Sequence, residues 1–228
     1  VSQSQSHEEG ASVRRAHPPG AVWVLACVGL AALAVALLLA SGAGDASTAA
    51  GRAQIDMKGN AVELQDPIGD PTVLERMRVS EDDGERLQVP SVALDVPLGS
   101  LDLVEGAITP PGFSSAYVVR NVGTPNEPTA GTTYVAMHSI PAPGLAPGNF
   151  LIDVDSGMPS VSPGARVVLG DETYAVDSAY TVDKDELPSR EDVWKDVPGR
   201  LVVITCQQLP SGAPSVQNSV IEAHLVDR

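Results

Sequence analysis

Cysteine is nearly absent from this sequence: 228 residues contain two, Cys27 and Cys206. Cys27 lies inside a long apolar run and Cys206 stands alone in the remainder, so no internal disulfide can staple that part of the chain. Positive charge is also scarce, with Lys+Arg 14 against Asp+Glu 29 and a formal charge of −15. A surface that tracks phosphates needs clustered lysine and arginine, which excludes nucleic-acid binding. Helical periodicity is sparse, and the length suits one domain of ordinary size, or one domain with an accessory segment, better than a two-domain enzyme. What the chain has in quantity is Gly 21 and Pro 19, set between short apolar runs rather than in low-complexity tracts. That pattern predicts a β-rich, loop-rich domain.

Residues Ala21 to Ala40 are twenty consecutive residues without a charge, enough for a helix to span a hydrocarbon core of about 30 Å. Arg14, Arg15 and the breaker His17-Pro18-Pro19-Gly20 precede it, and the next basic residue is Arg52. The positive-inside rule then puts the N-terminus in the cytoplasm and the rest outside. A cleaved signal peptide is the other reading of this run, with small residues around Ala40-Ser41-Gly42-Ala43, but twenty apolar residues exceed the usual h-region of about 7–15. Both readings export the domain. The expected organisation is a cytoplasmic tail at 1–20, a single-pass transmembrane helix at 21–40, an extracellular stalk and N-terminal arm at 41–85, and a folded domain at 86–228.

From Arg86 on, short β-type runs alternate with turn clusters. They are Arg86–Pro90 with Val92–Pro97, Ala116–Val119, Thr132–Met137, Arg166–Leu169, Glu172–Val176, Leu201–Thr205 and Ser219–Val226. Gly170-Asp171 predicts a tight hairpin of the Gly-X type. Leu201 to Ile204 is continuously apolar, which predicts a central strand buried on both faces. Asp153, Asp155, Asp171 and Glu172 do not have the spacing of a calcium loop and read as solvated loop charge, so no metal is expected.

Two histidines lie beyond the apolar run, His138 and His224. His138 directly follows Tyr134-Val135-Ala136-Met137, and Cys206 directly follows Leu201–Thr205. A histidine and a cysteine at the ends of two buried strands can face each other across a sheet, as nucleophilic thiol chemistry requires. His224 sits two residues from Glu222 within a strand pattern, so both are expected on one solvent face.

These residues resemble the sortases, the membrane-anchored cysteine transpeptidases of Gram-positive bacteria; an actinobacterial member of class E or F is one form the resemblance admits. Leu87-Gln88-Val89-Pro90-Ser91-Val92-Ala93-Leu94 is similar to the family's opening strand, and Thr133-Tyr134-Val135-Ala136-Met137-His138-Ser139 to the segment carrying its histidine. Gly148-Asn149-Phe150-Leu151-Ile152-Asp153 is similar to the stretch that follows, Leu201-Val202-Val203-Ile204-Thr205-Cys206 to the strand ending in Thr-Cys, and Asn218-Ser219-Val220-Ile221-Glu222-Ala223 to the closing strand. The resemblance covers residues 86 to 226. It implies an all-β, closed barrel of about eight strands with short helices, preceded by one N-terminal transmembrane helix, and no cofactor.

It further implies that Cys206 attacks the Thr carbonyl of a Leu-Pro-x-Thr-Gly-like signal at the C-terminus of surface proteins. A peptidoglycan-precursor or pilin amine then resolves the thioacyl enzyme. His138 is expected as general acid for the leaving amine or as partner of the thiolate, with Thr205 supporting the strand end. The sequence departs from the family where an arginine is usual beyond the cysteine: Ser215, Gln217 and Asn218 occupy that window. A neutral donor there weakens stabilisation of an oxyanion, and Arg120 is the candidate to replace the charge from elsewhere in the sheet. Met137 stands where the family usually has glycine. The alternative is a non-catalytic sortase-like module that binds cell-wall polypeptides in the same groove.

Overall fold

The computed structural model describes residues 54–62, 71–106 and 108–226. The apolar run at 21–40 lies outside them, and no helix among the described residues is long and apolar enough to cross a membrane.

Eight strands close into a barrel. Each of the runs predicted from alternation and turn chemistry is one of them: β3 (Ser80–Val89), β4 (Leu94–Leu101), β5 (Ala116–Val119), β6 (Thr132–Ala136), β9 (Arg166–Leu169), β10 (Glu172–Asp183), β11 (Arg200–Gln207) and β12 (Gln217–Leu225). Their order around the barrel is β10-β12-β11-β6-β5-β4-β3-β9, with β9 returning to β10. Most neighbours are antiparallel, but β4 with β5 and β6 with β11 are parallel. Gly170, at φ +57°, and Asp171 form the two-residue hairpin between Leu169 and Glu172, a turn in which a positive φ at the first position suits glycine.

Small elements decorate the barrel. Two-residue pairs form at β1 (Gln54–Ile55) with β2 (Ala61–Val62) and at β7 (Ile152–Asp153) with β8 (Met158–Pro159). The helices α1 (Pro71–Arg76) and α2 (Glu191–Trp194) are short, as are 3-10 turns at Pro90–Val92, Pro147–Phe150 and Leu187–Ser189.

Strand alternation divides the hydrophobic residues into two layers. Leu201 and Val203 of β11, Val135 of β6, and Ile221 and Ala223 of β12 point into the barrel, where Leu87, Val96 and Val167 meet them. Val202 and Ile204 of β11, Tyr134 of β6, Val220 of β12 and Val182 of β10 point outward, beneath Leu187 and Val193. The continuous apolar run of β11 therefore serves two cores at once, as expected for a strand buried on both faces. Each such side chain contributes about 1.5–3 kcal/mol on burial.

Three features differ from the sequence reading. Within the stretch 41–85, read as stalk and arm, residues 54–62 fold as a hairpin rather than running free. Asp56 accepts hydrogen bonds from the backbone N–H groups of Lys58 and Asn60 at 2.8 Å each and from Leu145 at 3.1 Å, and it bridges to Phe113. A turn organised by one buried carboxylate has no apolar period to betray it. Strand β3 begins at Ser80, before the expected start at residue 86, with an irregular register between Ser80 and Glu85. Strand β10 continues past Val176 to Asp183 through a bulge between Val176 and Ser178, and such a bulge breaks the period-2 pattern.

Candidate active site

The outer hydrophobic layer stops short of the strand ends. Trp194 stacks on Tyr134 at 5.2 Å and donates its indole N–H to the Leu187 carbonyl at 2.7 Å. Arg200, itself buried, ties α2 down by donating to the carbonyls of Val193 at 3.0 Å and Asp192 at 2.9 Å while pairing with Glu222 at 2.9 Å. Beyond this cover a cavity of about 560 Å³ opens, floored by Ala136 and Ile204 and walled by Trp194, Leu187, Ile108 and Phe113.

At its polar end the cavity contains both candidate reacting groups. Ala136 lies beside Ile204 in the parallel β6–β11 register. Two further residues along each chain place His138 and Cys206 on the same outward face, on neighbouring strands spaced about 4.8 Å apart. Both line the cavity. Ser139 Oγ donates to the Cys206 carbonyl at 2.5 Å, and Gln208 Nε2 donates to the Ser139 carbonyl at 2.9 Å, so the two strand ends are laced together. Cys206 is a free thiol, half-buried.

His138 is held from three sides. Its Nε2 lies 2.7 Å from the Pro110 carbonyl, an acceptor only, so Nε2 carries the proton and Nδ1 is the basic nitrogen of the neutral ring. Phe113 lies against the ring with centroids 4.6 Å apart. The His138 carbonyl accepts from Gly148 N–H at 2.7 Å. Burial holds the imidazole below its ordinary titration range; the Pro110 bond works in the opposite sense, and the nearby Lys184 charge adds to the depression.

The four residues considered for the missing arginine fall in different places. Asn218 lines the cavity and is directly opposite Cys206 in the β11–β12 register. Gln217 pairs with Gln207 and donates to Asp183 at 2.8 Å, and Ser215 is buried with its hydroxyl on the Gln217 carbonyl at 2.8 Å. Neither lines the cavity. Arg120 does not reach it either. The β5–β6 register puts Val118 beside Val135, which carries Arg120 to the level of Thr133, about 16 Å before His138 at about 3.3 Å per residue. Its guanidinium is consumed by Asp102 at 3.0 Å, Ser100 at 2.7 Å and the carbonyls of Met77 and Arg78. Thr205, expected to support the strand end, is buried on the opposite side of β11 from Cys206, beside Ser219. His224 is exposed and pairs with Asp177 at 2.6 Å, outside the cavity.

Comparison with solved structures gives the following similarities. Sortase A of Listeria monocytogenes is 19% identical, with a TM-score of 0.45 over 63% of this chain and 86% of that one. A lid mutant of sortase A from Corynebacterium diphtheriae is 14% identical, with a TM-score of 0.48 over 68% and 74%. A pilus-related sortase C of group B Streptococcus is 16% identical, with a TM-score of 0.49 over 72% and 77%. All three are sortases. No family model matches the sequence, and no curated protein matches it.

The sequence reading passed over Lys184, Pro110 and Phe113, all of which line the cavity. Lys184 follows the bulged half of β10, so a strand ended at Val176 leaves it in unassigned loop. Pro110 and Phe113 belong to a segment with no strand or helix signal, and only the closed barrel brings it over His138.

Proposed function

We propose that this protein is a sortase-type cysteine transpeptidase, with Cys206 as nucleophile and His138 as its acid and base. The observation that carries the reading is the juxtaposition of Cys206 and His138 at the ends of parallel neighbouring strands, on one face of one apolar cavity. His138 Nδ1 takes the thiol proton, and the sulfur attacks the carbonyl carbon of a peptide bond, moving the carbonyl electron pair onto oxygen. Collapse of that intermediate breaks the C–N bond, and the leaving amine takes the proton from Nδ1. An incoming amine then attacks the thioester, gives a proton back to Nδ1 and releases the Cys206 thiolate, which is reprotonated. Asn218, opposite Cys206, supplies a neutral amide donor to the oxyanion.

The apolar floor and walls suit an extended peptide with aliphatic side chains, in keeping with a Leu-Pro-x-Thr-Gly-like signal on a surface protein. A peptidoglycan-precursor or pilin amine is the acceptor in this reading, and the domain works outside the cell on the anchor at 21–40. The largely apolar lining equally suits binding without turnover, which keeps the module reading as the second one. Incubating the full chain with a peptide library and trapping the thioacyl adduct at Cys206 by mass spectrometry tests the proposal. The adduct is expected on wild type and absent from Cys206→Ala, while peptide cleavage retained by Cys206→Ala would overturn it.

A further inference from the structure

In a chain of formal charge −15, the cavity that contains Cys206 is lined, among the described residues, by no aspartate or glutamate and by one lysine, Lys184, with no arginine. Among the described residues no carboxylate lies within salt-bridge distance of that lysine. Its backbone is fixed: Lys184 N–H donates to the Val216 carbonyl at 2.9 Å, continuing the β10–β12 ladder one step beyond Asp183 opposite Gln217. Val182 of β10 faces outward, so alternation turns Lys184 outward as well. Across this face the order is Lys184 at the end of β10, Asn218 on β12, Cys206 on β11 and His138 beyond β6.

We infer that Lys184 is the cation of this site, stabilising the negative charge that Cys206 gains as its proton passes to His138 Nδ1 and that moves to the carbonyl oxygen on attack. The inference deepens the transpeptidase reading and rests on it for the second half of that role. The alternative source of charge is His138, but that ring is half-buried in an apolar wall, and its Nε2–H is spent on the Pro110 carbonyl at 2.7 Å. A neutral imidazole offers no charge to the sulfur before it takes the proton. An ammonium on the next strand but one does, and nearby positive charge is what lowers a cysteine pKa. The bond changes are those of the acyl transfer already described. Lys184 takes no part in the proton transfers and contributes charge and a donor N–H.

Other ionisable groups near this face do not compete. Asp183 lies on the other side of β10, receiving Gln217, and neither Asp185 nor Glu186, in the turn that follows, lines the cavity. On the neighbouring α2 segment, Arg190 and Asp192 pair with each other at 2.6 Å. From the segment on the opposite wall, Glu105 pairs with Arg76 at 2.7 Å. No charged residue of β12 lines the cavity.

The test measures alkylation of Cys206 in the full chain by iodoacetamide and by iodoacetate between pH 5 and pH 10. Peptide mapping by mass spectrometry separates Cys206 from Cys27. Lys184→Met is expected to move the Cys206 alkylation midpoint up in pH, slowing the neutral-pH reaction with iodoacetamide about tenfold for each unit. It is also expected to lower the iodoacetate-to-iodoacetamide rate ratio several-fold, because a positive group no longer attracts the anionic reagent. Lys184→Arg should keep both quantities within about twofold of wild type, and Lys195→Met, which removes the same charge from an exposed position, should leave both unchanged. Lys184→Gln is carried in parallel, so that a misfolded Met variant does not end the experiment. Folded Lys184→Met or Lys184→Gln protein with wild-type midpoint and ratio would overturn the inference. These readouts need no peptide turnover, so they decide the role of Lys184 even where wild type cleaves nothing. Where wild type does cleave, kcat should fall in Lys184→Met more than KM rises; a KM effect alone would remove the oxyanion half of the role.

Discussion

Gly148→Ala should lower the melting temperature by about 5–15 °C and loosen His138. The 3-10 turn at Pro147–Phe150 tucks beneath the ends of β6 and β11, and it does so because residue 148 has no side chain. A Cβ built there meets Thr205 Oγ1 at 2.0 Å, the His138 carbonyl oxygen at 2.7 Å and Thr205 Cβ at 2.9 Å. Rotating Thr205 about χ1 removes the first of these contacts and leaves the other two, one of them backbone. Gly148 is not at positive φ, so alanine introduces no conformational strain of its own and the substitution reports packing alone. Overpacking of this kind costs about 1–3 kcal/mol, and stretching the 2.7 Å bond from Gly148 N–H to the His138 carbonyl costs about 1 kcal/mol more. Each kcal/mol shifts the midpoint by about 2–4 °C in a domain of this size. Thermal unfolding followed by circular dichroism measures the shift, and Gly148→Ala/Thr205→Ala should recover only part of it. A single variant melting within 2 °C of wild type would refute the claim that this close approach supports the histidine end of the site.

Because burial holds the folded-state pKa of His138 below its usual 6.5, the unfolded chain binds more protons below that pH, so stability should fall as pH drops from about 6.5; denaturant unfolding of wild type and His138→Gln should show this contribution lost in the variant. Arg120→Met should cost about 2 kcal/mol by leaving the buried Asp102 carboxylate with Arg78 alone, while the alkylation rate of Cys206 stays at the wild-type value; a slowed alkylation in folded protein would contradict the placement of Arg120 away from the cavity.

Much of the barrel was legible because its strands obey local rules. Leu201–Ile204 has no alternation because it is shared between two cores, and that signature survives in the sequence alone. Gly170-Asp171 signals its hairpin through the one residue that accepts a positive φ cheaply. What could not be read is structure held by single polar groups. Asp56 organises residues 54–62 through one buried carboxylate, whose N–H donors bring its pKa to about 2 against the opposing pull of burial. The far half of β10 was hidden in another way, since one extra residue at the bulge near Asp177 shifts every later side chain to the opposite face and cancels the pattern a reader would count.

The same distinction governs the site. That His138 and Cys206 share one cavity was legible in outline, because each closes an apolar run in the sequence; in the fold His138 lies two residues beyond β6 and Cys206 is the last residue but one of β11, and parallel pairing puts the two side by side. The charged partner was not, because counting along the chain measures loop length whereas contact across a sheet depends on register. Nine residues beyond Cys206 lies Ser215, in the connection between β11 and β12 with its side chain turned away from the cavity. The position that faces the cysteine is Asn218, set by the pairing of Gln207 with Gln217. Distance also disqualifies Arg120, whose guanidinium is already committed to a buried carboxylate. A cation useful to the sulfur must instead lack such a partner and lie at the cavity, and among the described residues Lys184 meets both conditions. Among the described residues, the acid-free cavity lining and the unpaired lysine within it are therefore two parts of one electrostatic arrangement.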